Sequence, residues 1–136
     1  DVLACKGREN NNPIVKGDLT PGYVSMEGQP VFKFAVKKVP ECIDEVLNKA
    51  GKNIDDVELF VLHQANLRIL TSISKRKKIP MDKIPVNLDT CGNTSAASVP
   101  ILLDKVNKEG KIKENDLILL AGFGAGLTCG AALIQW

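Results

Sequence analysis

The segment Val57–Leu62 constrains the fold most, because five of its six residues are apolar. It is short for a helix, and its valine, leucine and phenylalanine side chains favour a buried strand. Two further apolar segments, Leu117–Ala121 and Leu127–Ile134, flank the glycine-rich segment Gly122–Gly126. That spacing predicts two strands joined by a tight antiparallel connection. Strands of this composition are typical of a sheet covered by helices.

Apolar residues at helical spacing predict three helices around these strands. The first runs on from Val31 and ends before Gly51, and Pro40 is expected to kink or break it. The second covers Asn66–Lys78 and the third Ala96–Glu109. The alternation of helices with buried strands predicts an α/β layered domain.

The remaining segments are predicted to contain little regular structure. Residues 1–29 hold many glycine, proline and asparagine residues and are predicted to be mostly loop, with a short strand near the start and another around Gly22–Met26. A further short strand is predicted at Ile84–Asn87, leading into a turn at Cys91–Ser95. A sequence of 136 residues can bury one core, so a single domain is expected.

Composition argues against several classes of function. The sequence is 44% hydrophobic and 25% charged, as in soluble globular proteins, and its net charge of +2 predicts neither a nucleic-acid binder nor a membrane-surface protein. No leader opens the sequence, and no apolar run approaches the roughly 18–20 residues that span a bilayer. A start at Asp1 instead of methionine is consistent with a piece of a longer protein.

The four cysteines and the one histidine are scattered along the sequence. No two cysteines form a C-x-x-C pair, so no metal site is expected. Scattered cysteines without secretory features are typical of a reducing compartment, and a cytoplasmic protein is expected.

The histidine, His63, directly follows a predicted strand and precedes a helix. Helix N–H groups favour a neutral imidazole, which can polarise a carbonyl without carrying charge. The alternative is a hydrogen-bonded structural histidine at a strand exit.

Two small-residue segments also allow two interpretations each. Gly92–Ser98 suits a helix N-cap by Thr94 or Ser95, or an Asn93 amide that donates to a ligand oxygen. Phe123–Gly126 suits a plain hairpin, or an open turn whose backbone N–H groups face an oxyanion.

The basic run Lys75–Lys78 ends the second predicted helix. It suits either a favourable interaction with the helix C-terminus or a docking patch for an acidic partner. The sequence contains no G-x-S-x-G elbow and no P-loop lysine, so it offers no support for serine hydrolase chemistry.

Four segments together resemble the C-terminal half of one enzyme family, β-ketoacyl-acyl carrier protein synthase III. In order and spacing, they are Met26–Lys33, Val61–Arg68, Gly92–Pro100 and Gly122–Thr128. The resemblance implies the thiolase-like fold, two similar halves stacked as a sandwich, of which this α/β chain with a mixed sheet is the second half. The nucleophilic cysteine of the family belongs to the first half, which we expect to be absent here, so none of the four cysteines is assigned to catalysis.

The resemblance also implies a reaction, a decarboxylative Claisen condensation of a short acyl-coenzyme A with malonyl-acyl carrier protein. By matching positions, His63 and Asn93 are the catalytic donors and the backbone N–H of Ala125 is half of an oxyanion hole. The matching residues of the substrate channel are Gly28, Gln29, Phe32, Ala65 and Asn66. Those of the carrier-protein docking surface are Lys33, Arg68, Lys75 and Arg76.

The expected partners are acyl-coenzyme A, acyl carrier protein, the chain's own N-terminal half and a second subunit of a homodimer. Coenzyme A and the phosphopantetheine of the carrier protein enter as substrates, and no cofactor, nucleic acid or membrane is expected. Cys91, Cys129 and Gln29 depart from the family pattern, which affects the expected rate and acyl preference. Two alternatives stay open, a related thiolase-fold acyltransferase or polyketide-type synthase, and a non-catalytic carrier-protein-binding module.

Overall fold

A computed structural model describes residues 2–5, 7, 9–18, 20 and 22–136. Its strands and helices, in chain order, are β1 Leu3–Cys5, β2 Val24–Met26, α1 Gly28–Ala50, β3 Leu59–Leu62, α2 Leu67–Lys77, α3 Leu88–Cys91, α4 Ser98–Lys108, β4 Leu117–Gly124 and β5 Thr128–Gln135. The two short strands predicted near the start of the chain are confirmed as the antiparallel pair β1 and β2. Parts of the loop predicted over residues 1–29 lie outside the described residues.

Within the described residues, β3, β4 and β5 form a mixed sheet in that order. β3 runs parallel to β4, with Leu62 opposite Ala121, and β4 runs antiparallel to β5. The predicted hairpin and the predicted mixed sheet are therefore confirmed. Because β3 and β4 are parallel, their carboxyl ends meet at one edge of the sheet, where polar groups of the following loops come together.

The alternation of side chains along β3 sets up two packed layers. Phe60 and Leu62 belong to a core with α1 and α2, whereas Leu59 and Val61 point to the opposite face, which α4 covers. All four residues are buried, since helices cover both faces of the strand. The burial of Phe60 alone stabilises the fold by about 1.5–3 kcal/mol.

Helix α1 continues through Pro40 without interruption, so of the predicted kink or break, the break is wrong. Proline has no N–H, and the carbonyl of Val36 therefore lacks its helical donor. The guanidinium of Arg76 in α2 donates to that carbonyl, with Nη1 and O 3.3 Å apart. Pro40 is itself buried, so tertiary packing holds the helix together where the local sequence disfavours it.

The strand predicted at Ile84–Asn87 is not formed, and the segment lies between a 3-10 turn at Met81–Lys83 and helix α3. The backbone N–H of Asn87 donates to the side-chain oxygen of Gln64, at 3.2 Å, and so serves a loop contact instead of a strand ladder. Ile84 is buried in the core, which explains its apolar character without a sheet.

Helix boundaries follow the caps. Asn66 caps α2, its Oδ1 accepting the N–H of Arg68 at 2.8 Å, and Gly51 ends α1 in the left-handed region with φ of 62°. The third predicted helix begins later than expected, because 95–97 form a 3-10 turn and α4 starts at Ser98. Among the described residues, none of these helices has the length and apolar character to cross a bilayer.

Candidate active site

His63 lies immediately beyond the carboxyl end of β3, held by its own N–H, which donates to the Ala121 carbonyl at 2.8 Å. Its ring makes an edge-to-face contact with Phe123, with centroids 5.0 Å apart and planes at 71°. Nδ1 lies 2.5 Å from the Ser98 hydroxyl oxygen at the start of α4. The ring is therefore fixed from β4 on one side and from α4 on another.

Burial lowers the pKa of His63 from its ordinary value of 6.5, so the ring is neutral at neutral pH. The neutral state agrees with the expectation from the sequence, but its cause is removal of water instead of the field of a helix. A neutral imidazole has one N–H donor and one acceptor nitrogen, and it can donate to an oxyanion without first losing a proton.

Gln64 is fully buried and connects the loop after β3 to the segment before α3. Its Nε2 donates to the Leu62 carbonyl at 2.8 Å, and its Oε1 accepts the N–H of Asn87. Sequence reasoning assigned no role to this side chain. A polar residue directly after an apolar strand was the available signal, because a buried amide there must find partners.

Asn93 lies exposed in the loop between α3 and α4. Its Oδ1 accepts the N–H of Ser95 at 3.0 Å, which leaves its Nδ2 as the available donor. The cap expected from Thr94 or Ser95 is not formed, since neither the 3-10 turn at 95–97 nor α4 has a side-chain hydrogen bond at its N-cap. The amide of Asn93 itself ties down the loop.

The β4–β5 hairpin turns through residues 125–127. The carbonyl of Ala125 accepts the Thr128 hydroxyl at 3.1 Å, which holds the turn closed. Gly126 has φ of 135°, a conformation open to glycine and strained for other residues. The turn is a hairpin, as predicted, and the oxyanion role of the Ala125 N–H stays a prediction.

A cavity of about 870 Å³ brings four of the predicted site residues together. They are His63, Ala65, Asn93 and Ala125. Its remaining wall includes apolar side chains of the β1–β2 pair, α1, α4 and β4, and residues 128–130 of β5. An apolar cleft lined by a few polar groups is typical of a small-molecule binding site.

The other predicted channel residues lie beside this cavity and not on its wall. Gly28 and Gln29 form the exposed first turn of α1. Phe32 is half-buried, and the guanidinium carbon of Arg68 lies 5.7 Å from its ring centroid, a cation–π contact. Asn66 has the capping role described above, and the part these residues take in a channel stays a prediction.

The predicted docking residues Lys33, Arg68, Lys75 and Arg76 are all exposed on α1 and α2, which pack together. Phe32 and Arg68 connect the two helices, and Arg76 also reaches the Val36 carbonyl. These four residues form a basic surface on α1 and α2, and part of it therefore stabilises the packing of the two helices. Its use as a docking site stays a prediction.

In the described part of the chain, no three histidine, cysteine or carboxylate side chains come close enough together to hold a metal ion. One pair of sulfurs is in contact, that of Cys42 and Cys129, with Sγ atoms 2.8 Å apart between α1 and β5. Burial, followed by the contact with Cys129, raises the pKa of Cys42 to about 11. Such a thiol stays protonated at neutral pH and is a poor nucleophile.

Comparison with known proteins gives relatives over most of the chain. The "Beta-ketoacyl-[acyl-carrier-protein] synthase III" of Trichormus variabilis is 50% identical over 126 residues, 93% of this chain and 38% of that protein. The enzyme of the same name from Thermosynechococcus vestitus is 48% identical over the same share of each chain. The chain thus spans about two fifths of the length of these relatives.

Solved structures give the same relationship in three dimensions. The synthase III of Thermus thermophilus superimposes with a TM-score of 0.87 at 39% identity, over 99% of this chain and 41% of that one. That of Aquifex aeolicus gives 0.83 at 47% identity, over 85% and 37%. The predicted thiolase-like α/β fold is confirmed.

The model of one domain family, the C-terminal domain of 3-oxoacyl-[acyl-carrier-protein] synthase III, matches residues 47–136. That range includes both candidate donors and the glycine turn. The chain belongs to the 3-oxoacyl-[acyl-carrier-protein] synthase III family, whose C-terminal domain it contains.

Proposed function

We propose that this chain supplies the donor half of the active site of a condensing enzyme. The enzyme joins a short acyl-coenzyme A with malonyl-acyl carrier protein by decarboxylative Claisen condensation. The observation that carries the proposal is the placement of His63, Asn93 and Ala125 on one cavity at the carboxyl end of the parallel strands. Family membership and the names of the relatives support it.

The reaction needs donors aimed at an oxygen. Acyl transfer from coenzyme A first places the acyl group on a cysteine thiolate of the N-terminal half. In the malonyl thioester, the bond to the carboxylate then breaks, carbon dioxide leaves, and the electron pair becomes an enolate with its charge on the thioester oxygen. N–H groups of neutral His63 and of Asn93 suit that charge, and each such donor contributes on the order of 3 kcal/mol.

The enolate carbon then attacks the acyl carbon on the cysteine. A new carbon–carbon bond forms, the carbon–sulfur bond breaks, and the cysteine departs as its thiolate. During attack the acyl oxygen becomes an oxyanion, which the Ala125 N–H would stabilise together with an N–H from the other half. No cofactor is required, because the thioesters activate both carbons.

The complete enzyme is proposed to act as a cytoplasmic homodimer in which each C-terminal half packs on its own N-terminal half. An acidic carrier protein would bind the basic surface formed by α1 and α2. Opposite charges on the two partners favour encounter and make it sensitive to salt. Neither nucleic acid nor a membrane enters this proposal.

Reconstitution tests the function directly. The chain would be produced together with the N-terminal remainder of the Trichormus variabilis relative, which is 50% identical over the shared part. We expect β-ketoacyl-carrier-protein product from the pair and none from the chain alone. The two halves of the relative serve as the control. If the control pair is active and the test pair is folded but inactive, the proposed function is wrong.

A further inference from the structure

Ser98, the first residue of α4, is 1% exposed and lies against the candidate catalytic histidine. Its Oγ is 2.5 Å from Nδ1 of His63 and 3.3 Å from the backbone nitrogen of Gln64. The hydroxyl therefore joins the helix start to two consecutive residues of the loop after β3. With so little exposure, bulk water does not compete for these bonds.

The hydrogen bonds of the Ser98 hydroxyl determine which nitrogen of the His63 ring carries the proton. The Gln64 N–H can only donate, so it takes one lone pair of the Ser98 oxygen. If Nδ1 also carried a proton, the oxygen would accept twice and its own buried proton would have no acceptor among the described residues. Buried donors without acceptors are rare because their desolvation is uncompensated. The Ser98 hydroxyl therefore donates its hydrogen bond to Nδ1 of His63.

We propose that Ser98 is a positioning residue that holds His63 in the tautomer protonated on Nε2, by donating its hydroxyl to Nδ1. The ring then presents its single N–H on the side away from Ser98, and it is the ring, not Ser98, that lines the cavity. A hydrogen bond also orients Asn93. Its Oδ1 accepts the Ser95 N–H, so its Nδ2 remains available as a donor to a ligand.

The inference deepens the proposed function and rests on it only for the use of the N–H as an oxyanion donor. The tautomer itself is a property of this chain. Burial also lowers the pKa of His63, which keeps the ring neutral, and only a neutral ring has a tautomer to be fixed. The contact with Phe123 restrains the ring plane but contains no polar atom that could choose between the two nitrogens.

Nitrogen NMR of the imidazole measures the tautomer directly. The chain has a single histidine, so histidine-labelled protein gives the signals of one ring. The labelled chain would be examined in complex with the unlabelled N-terminal half of the relative, near neutral pH. We expect the Nε2–H form to predominate by about tenfold or more, and a wild-type ring protonated mainly on Nδ1 would overturn the proposal.

Two variants complete the test. Ser98→Ala removes the donor and should leave a mixture of tautomers, whereas Ser98→Thr keeps a hydroxyl and should restore the Nε2–H form. An unchanged tautomer in a folded Ser98→Ala protein, checked by its backbone amide spectrum, would refute the assignment. If Ser98→Ala does not fold, the wild-type spectrum and Ser98→Thr still decide the question.

Activity then separates this inference from the proposed function. In the reconstituted enzyme, Ser98→Ala should slow malonyl decarboxylation by about tenfold, with acyl transfer from coenzyme A nearly unchanged. A fixed tautomer in an enzyme that never condenses would contradict the proposed function and leave the role of Ser98 intact. Full decarboxylation with a lost tautomer preference would contradict the role of Ser98 in catalysis.

Discussion

Arg76 of α2 donates to the Val36 carbonyl of α1, with the two atoms 3.3 Å apart, at the place where Pro40 removes the helical donor. A residue that sequence matching assigns to carrier-protein docking thus also supplies a hydrogen-bond donor that the neighbouring helix lacks. The bond explains how α1 continues through its proline while packed on α2.

The double-mutant cycle of Arg76 and Pro40 tests this relationship. Arg76→Ala should lower the free energy of unfolding by no more than about 1 kcal/mol, the usual net value of one hydrogen bond. In a Pro40→Ala background the same change should have less effect, because the introduced alanine would supply the missing backbone N–H. Chemical denaturation of the four proteins measures the coupling. Equal losses in both backgrounds would show that the contact is incidental.

His63→Ala and Asn93→Ala should each slow malonyl decarboxylation in the reconstituted enzyme roughly a hundredfold or more. In the proposed mechanism, each change removes one donor to the enolate oxygen. Acyl transfer from coenzyme A should be much less affected, since the proposed mechanism assigns that step to the oxyanion hole. Release of carbon dioxide and formation of the acyl-enzyme are assayed separately. Equal losses in both half-reactions would indicate a structural role for these residues.

Charge reversal tests docking on the basic surface. Lys33→Glu with Lys75→Glu should raise KM for malonyl-acyl carrier protein several-fold, with the loss shrinking at high salt as screening removes the contrast. Both side chains are exposed and make no ion pair or hydrogen bond to another described residue. Arg68, in contrast, contacts the Phe32 ring, and Arg76 donates to the Val36 carbonyl.

Lys52→Glu with Lys113→Glu is the matched control for that reversal. These exposed lysines precede β3 and β4, at the opposite end of the sheet from the cavity, and the net charge changes by the same amount. The control should leave KM unchanged. Equal effects of the two pairs would mean that total charge matters and the surface does not.

The stability of the chain should depend on pH through His63. Its folded pKa lies below 6.5, so the unfolded chain binds the proton more readily. The stabilisation by the neutral ring is therefore fully present above about pH 6.5 and is lost as pH falls through the folded pKa. Urea unfolding of wild type and His63→Gln over this range measures it. A difference that stays constant with pH would contradict the shift.

Cys42 should resist alkylation. Its pKa of about 11 leaves little thiolate at about pH 8, whereas Cys91 is exposed. Iodoacetamide should therefore modify Cys91 at least about tenfold faster, as followed by peptide mass spectrometry. Cys129→Ser should leave Cys42 slow, because burial is the larger cause of its shift. Equal labelling of Cys42 and Cys91 in the folded chain would exclude this environment.

Much of the fold was predictable because local patterns matched the final structure. Val57–Leu62, the glycine turn and the helix over Asn66–Lys78 were each found to within a few residues. The strand predicted at Ile84–Asn87 is wrong, since burial in an irregular segment produces the same apolar pattern as a strand. The break predicted at Pro40 is wrong because a residue of another helix, Arg76, supplies the missing donor to the Val36 carbonyl.

For the candidate site too, some properties follow from the sequence and others depend on the fold. The candidate donors His63, Asn93 and Ala125 could be proposed from the amino-acid sequence, since they lie in short segments whose residue types and order are specific. Their electrostatic state, in contrast, depends on the folded structure. Burial lowers the pKa of His63, and Ser98, 35 positions away, contacts Nδ1. Desolvation and hydrogen bonding depend on which groups the fold brings together, and separation along the chain does not reveal them.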